Sequence, residues 1–140
     1  MFKYQTYFEK LKYPCPPQNY IPQNRIAYRW VFEDVNHEEN FKPVYFKTPK
    51  RFIEKSDEER CLAMGLSFFD NLEKAEHRFL QLKKRLGQEV YKILGTQIAQ
   101  GQIVEEDGVN SAIDTNGHFT HHPSTVFKYS KEITIVKYLK

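Results

Sequence analysis

At 140 residues, 40% of them hydrophobic and 15% aromatic, the chain carries enough apolar material to bury one core and is too short for two of ordinary size. Eleven Phe and nine Tyr exclude a disordered chain, and 21 Lys+Arg against 18 Asp+Glu leave a formal charge of +3, too even a balance for a dedicated nucleic-acid binder. No stretch approaches the roughly 20 apolar residues of a membrane span, and Met1-Phe2-Lys3-Tyr4 lacks the apolar run of a secretion signal, so a soluble, cytoplasmic protein without a membrane partner is expected.

Residues 1–24 read as an extended or partly helical segment rich in Pro and Tyr, ahead of a single α+β domain over 25–140. A short helix is expected within Tyr4 to Tyr13, with Tyr4, Phe8 and Leu11 on one face, until Pro14-Cys15-Pro16-Pro17 breaks it. The run Arg25 to Glu33 is β-branched and aromatic and predicts a central strand. Asp34 to Asn40 is a polar turn, and Phe41 to Lys47 then predicts a second strand, placed at an edge by Pro43 and joined to the first as a hairpin.

Ser56 with Glu59 three residues on is a capping box, opening a short helix that stops at Gly65. Leu66-Ser67-Phe68-Phe69 is a brief apolar run. Asp70 with Glu73 predicts a second box and a helix over Asn71 to Leu86, whose Leu72, Ala75, Phe79, Leu82 and Leu86 recur at steps of three and four and form one apolar stripe ended by Gly87. A short helix at Glu89 to Leu94 and strands at Thr96 to Glu105 and Glu132 to Leu139 complete the regular elements. Between them Asp107-Gly108 and Asn116-Gly117 signal turns, the second leading into His118-Phe119-Thr120-His121-His122. Strands first, helices in the middle and strands last predict a mixed or mainly antiparallel sheet with one long amphipathic helix and one or two short helices packed on it.

Three constellations carry candidate chemistry. Among the histidines, alternation sends His118 and His122 to one side of a strand and His121 to the other, so no metal site is expected, and a half-exposed strand end is the simpler account. The tripeptide His118-Phe119-Thr120 resembles the His-x-Thr of the two-histidine phosphoesterases, which carry it twice where this chain has it once. Cys15 and Cys61 stand in no Cys-x-x-Cys frame and are expected to stay reduced and unpaired. Tyr4, Tyr7, Phe8, Tyr13 and Tyr20 crowd the first twenty residues, as rings do at protein contacts, and form a candidate interaction arm.

Arg29 on the first strand, Ser67 before the long helix and the Glu105-Glu106 pair after a later strand form an order that resembles the Arg-Ser-Glu pattern of the ADP-ribosyltransferase-like folds. The match covers the middle third of the chain and lacks the family's Ser-Thr-Ser run and Glu-x-Glu spacing. The resemblance implies that Arg29 holds a dinucleotide phosphate, Ser67 organises the site and Glu106 stabilises an oxocarbenium-like transition state, with His118 a further candidate. Two functions are therefore expected from the sequence: first a small noncatalytic binding or protein-interaction domain, with a protein or a second copy of the chain as partner and no cofactor; and as its alternative a small enzyme acting on a nucleotide-like substrate through Arg29, Ser67, Glu106 and His118. The Lys83-Lys84-Arg85 end of the long helix is what a helix dipole favours and reads as a solvated face.

Overall fold

The computed structural model describes all 140 residues. Six antiparallel strands form one sheet in the order β4-β5-β2-β1-β3-β6: β1 (Arg25–Val31), β2 (Leu66–Phe69), β3 (Gln97–Ile103), β4 (Gly108–Asn110), β5 (His118–Pro123) and β6 (Thr134–Tyr138). The helices are α1 (Gln5–Phe8), α2 (Val44–Lys47), α3 (Asp57–Ala63), α4 (Leu72–Leu86) and α5 (Val90–Ile93). The α+β expectation holds. No helix is long and apolar enough to cross a membrane.

Both faces of the sheet are covered. On one, Ala27, Leu66, Phe68, Ile103 and Phe119 meet Tyr129 from the crossing segment before β6. Gly101 makes room for that ring, since a Cβ there would stand 2.6 Å from it, and the Tyr129 hydroxyl donates 2.9 Å to the Ala27 carbonyl. On the other face, Trp30, Phe69 and Ile98 lie under α4. Of the apolar stripe, Ala75 and Phe79 are buried outright while Leu72, Leu82 and Leu86 are half-buried at its margins. Phe79 sits edge-on to Trp30 at 5.7 Å and near Tyr91 of α5, and the Trp30 indole N–H donates to the Ala75 carbonyl.

The Ser56–Glu59 box caps α3 as expected. Four local expectations are corrected. The strand and hairpin at Phe41 to Lys47 do not form: residues 38–41 make a 3-10 turn and Val44–Lys47 a turn of helix, because Asn40 folds the chain back on itself. Its buried side chain accepts from the Phe32 amide and donates to the Asp34 and Val35 carbonyls. The cap of α4 is Asn71, whose Oδ1 accepts from the Lys74 amide, and not Asp70. Residues 108–110 are not a turn but the short edge strand β4, paired to β5. Helix α1 covers four residues of the ten allowed to it.

Cys15 and Cys61 are joined in a disulfide, with Cα atoms 5.8 Å apart, which corrects the expectation of free thiols. Forty-six residues separate the two cysteines, so nothing local in the sequence announces the bond; the fold brings the Pro-rich segment over α3. That segment is further fixed by bridges from Phe2 to Ser124 and from Ile21 to Asn110.

Candidate functional site

The sheet is divided at its middle. β1 pairs with β3 along seven residues and β2 with β5 along four, yet β1 and β2 meet at one register pair only, Tyr28↔Phe69. Beyond that pair the two strands diverge. Ser67 is consequently exposed although its strand is interior to the sheet.

Arg29 fills the fork. Its Nε donates 2.8 Å to the Asn40 carbonyl and its Nη1 2.7 Å to the Ser67 carbonyl, so the guanidinium bridges two strands where ladder bonds are missing. The ring faces of Phe41 and Phe68 lie 5.8 and 5.6 Å from it. Among the ion pairs of the protein none involves Arg29. Burial pushes its pKa down to about 10. Lys47 stands on the same recess, and burial, reinforced by the Arg29 charge, pushes its pKa down to about 8. The single carboxylate of the recess, Glu39, is paired with Lys42 at 3.5 Å. The result is a pocket with positive charge in excess of its counter-charge.

A second recess shares Trp30, Ser67 and Phe69 with the first and adds Arg78, Leu82, Asp114, Asn116 and His118. The two have volumes of about 140 and 440 Å³, and the second by itself falls in the roughly 300–1,000 Å³ range of small-ligand sites. His118 is placed by register, directly opposite Phe69 on β5, with its ring edge-on to that of Phe69. The turn before it is built by Asp114, whose Oδ1 accepts from the amides of Asn116 and His118 while Oδ2 lies 3.8 Å from His118 Nδ1. Burial lowers the His118 pKa, with the Asp114 charge opposing and the Arg78 and Arg29 charges adding, so the neutral imidazole is favoured.

Arg29 lines the first recess and His118 the second, while Ser67, with Trp30 and Phe69, lines both. Glu106 does not join them: it lies in the turn after β3, exposed, and its carbonyl accepts from Ser124 Oγ beyond the far end of β5. Six residues of strand put that point about 20 Å from His118. The N-terminal rings lie elsewhere again. Tyr4 and Tyr7 pack on Phe46, Phe8 is buried beside His122, Tyr20 is near the same imidazole and Tyr13 is half-buried, leaving Tyr7 as the one that is 42% exposed.

His121 and His122 point to opposite faces and are wholly buried, neither reaching the cleft, which corrects the half-exposed strand end expected of this run: only His118 is partly exposed. Sequence reading missed Trp30, Lys47, Arg78 and Asp114 as cleft residues. Only Asp114 left a signal, an Asp two residues before the Asn-Gly turn that delivers His118; the other three are distinguished solely by where the fork opens. No protein-family model, curated protein or solved structure matches the chain.

Proposed function

We propose that the cleft between β1 and β2 binds a nucleotide-like ligand and that the protein is a small enzyme acting on it, the ADP-ribosyltransferase-like alternative with His118 facing the cleft instead of Glu106. The observation that carries this reading is an exposed serine on an interior strand beside a guanidinium that has carbonyl acceptors but no counter-ion. An anionic group fits there because Arg29 and Lys47 supply charge that the protein leaves unbalanced. Trp30 offers the adjoining recess an aromatic wall for a base.

In such a ligand the Ser67 hydroxyl bonds a ribose or amide oxygen and the neutral His118 imidazole takes the proton of an attacking hydroxyl or water. For a nicotinamide dinucleotide the bond that breaks joins nicotinamide to ribose: the nicotinamide leaves with the bonding pair, the new C–O bond forms at that ribose carbon, and the acceptor's proton goes to His118.

Calorimetric titration with nicotinamide dinucleotide, ADP-ribose and inorganic phosphate, together with chromatographic detection of released nicotinamide, tests both parts. Binding in the micromolar to millimolar range is expected (~4–8 kcal/mol). Lys47→Ala should weaken it about tenfold or more, and His118→Ala should leave binding in place but slow release by on the order of 10²–10⁴. Binding without any release would return the protein to the noncatalytic binding class. Absence of binding to all three ligands would refute the cleft as a nucleotide site.

A further inference from the structure

We propose that Cys15, Cys61 and His122 are a metal site for a thiophilic divalent cation, Zn²⁺ foremost, that is closed when the two cysteines are joined and opens when they are reduced. The three residues come from three separate elements: the Pro-rich segment, α3 and the end of β5. Their donor atoms all lie within 4.8 Å of one another, with His122 Nε2 at 3.9 Å from each sulfur. In a tetrahedral site with Zn–S of about 2.3 Å and Zn–N of about 2.0–2.1 Å, the nitrogen–sulfur edge is about 3.6 Å and the sulfur–sulfur edge about 3.8 Å. The imidazole therefore already stands close to the required distance from both sulfurs, and rotation about the cysteine Cα–Cβ bonds after reduction supplies the separation between them.

The ring of His122 is fixed beside the two sulfurs by its surroundings. Its ring is wholly buried, and its Nδ1 has no hydrogen-bond partner while Nε2 lies 2.8 Å from the Cys61 carbonyl. Ligation through Nε2 would replace its contact with the Cys61 carbonyl and place the ring proton on Nδ1. Phe8 and Tyr20 wall the cluster with ring centroids at 5.3 and 5.5 Å, keeping it dry on that side. Cys15 is the half-buried member, and water or a small thiolate would complete a four-coordinate site.

The chemistry balances with a dithiol as reductant. The Cys15–Cys61 bond takes up two electrons and two protons as the reductant becomes its own disulfide. Zinc then replaces the two thiol protons, which pass to solvent, and two Zn–S bonds and one Zn–N bond form. In both states the N-terminal segment stays fastened to α3 and β5, so reduction exchanges one clasp for another.

The full chain, untreated or reduced under anaerobic conditions, is titrated with Co²⁺ and then with Zn²⁺. The reduced protein should give a thiolate-to-cobalt charge-transfer band and the visible bands of tetrahedral Co²⁺, saturating at one equivalent and displaced by Zn²⁺. The untreated, disulfide-bonded protein should give neither. His122→Asn should weaken Co²⁺ binding by on the order of 100-fold, and Cys15→Ser, on the half-buried segment, should abolish the charge-transfer intensity of one thiolate if the buried variant fails to fold. A reduced protein with unchanged far-UV dichroism and no charge-transfer band at tenfold excess Co²⁺ would overturn the proposal, as would a band of unchanged affinity in both variants.

Discussion

Lowering the pH should destabilise this protein early and steeply, through two histidines that have no route to solvent. His121 and His122 are both wholly buried, and burial drives their pKa values down to about 3 and about 4. His121 is held between two oxygens, with Nδ1 2.6 Å from Asn110 Oδ1 and Nε2 3.2 Å from the Asp107 carbonyl. In the unfolded chain each ring titrates near 6.5. Below that value the unfolded state binds protons that the native state refuses, so the histidines' contribution is complete above about pH 6.5 and is lost as pH falls through about 4 and 3. Each histidine costs about 1.4 kcal/mol per pH unit inside that window. From pH 6.5 to 4.5 that is about 3 kcal/mol each and roughly 5 to 6 together, comparable with the whole stability of many domains at about 5–15 kcal/mol. Urea unfolding followed by the fluorescence of Trp30, the sole tryptophan, should show the midpoint falling over this range before most carboxylates titrate. His121→Asn or His122→Asn should halve the slope. A midpoint that stays level or rises between pH 6.5 and 4.5 would mean that the rings are held protonated, and the reasoning from burial would fail.

Phe79→Ala should lower stability by about 3–5 kcal/mol in the same assay, since the ring is fully enclosed between Trp30, Tyr91 and the strands; a loss below about 1 kcal/mol would show that the α4 face collapses to fill the space. Asn71→Ala should cost about 1 kcal/mol through the lost cap, while Asp70→Ala, one residue earlier, should cost almost nothing, and the reverse order would restore the Asp70 box.

What could be read from the sequence was whatever has a period or a local signal. The three- and four-residue steps of Leu72, Ala75, Phe79, Leu82 and Leu86 have one helical solution, and alternation along His118 to His122 placed His121 on the face opposite its neighbours. The strand expected at Phe41 to Lys47 failed because propensity was overruled by Asn40, whose three hydrogen bonds turn the chain before the aromatic run begins. The disulfide and the metal-like triad could not be read, since 46 residues separate Cys15 from Cys61 and 61 separate Cys61 from His122. For the cleft, Arg29 and Ser67 were named on their order alone, and the property that brings them together, the parting of β1 from β2, belongs to no residue. Glu106 was selected by the same order and carried to the other end of β5 by the turn after β3.

The bridging role of Arg29 bears on how such a pocket can change over time. Where neighbouring strands are laced by amides, their spacing is fixed by the backbone and indifferent to side-chain identity. Here the spacing beyond Tyr28 and Phe69 is held by one guanidinium reaching two carbonyls, so its width is a matter of side-chain length. Exchanges at position 29, or at position 40 which anchors it, can widen or narrow the opening while the six strands keep their order. The same scaffold is thereby able to drift toward ligands of different girth by single substitutions, without a change of fold.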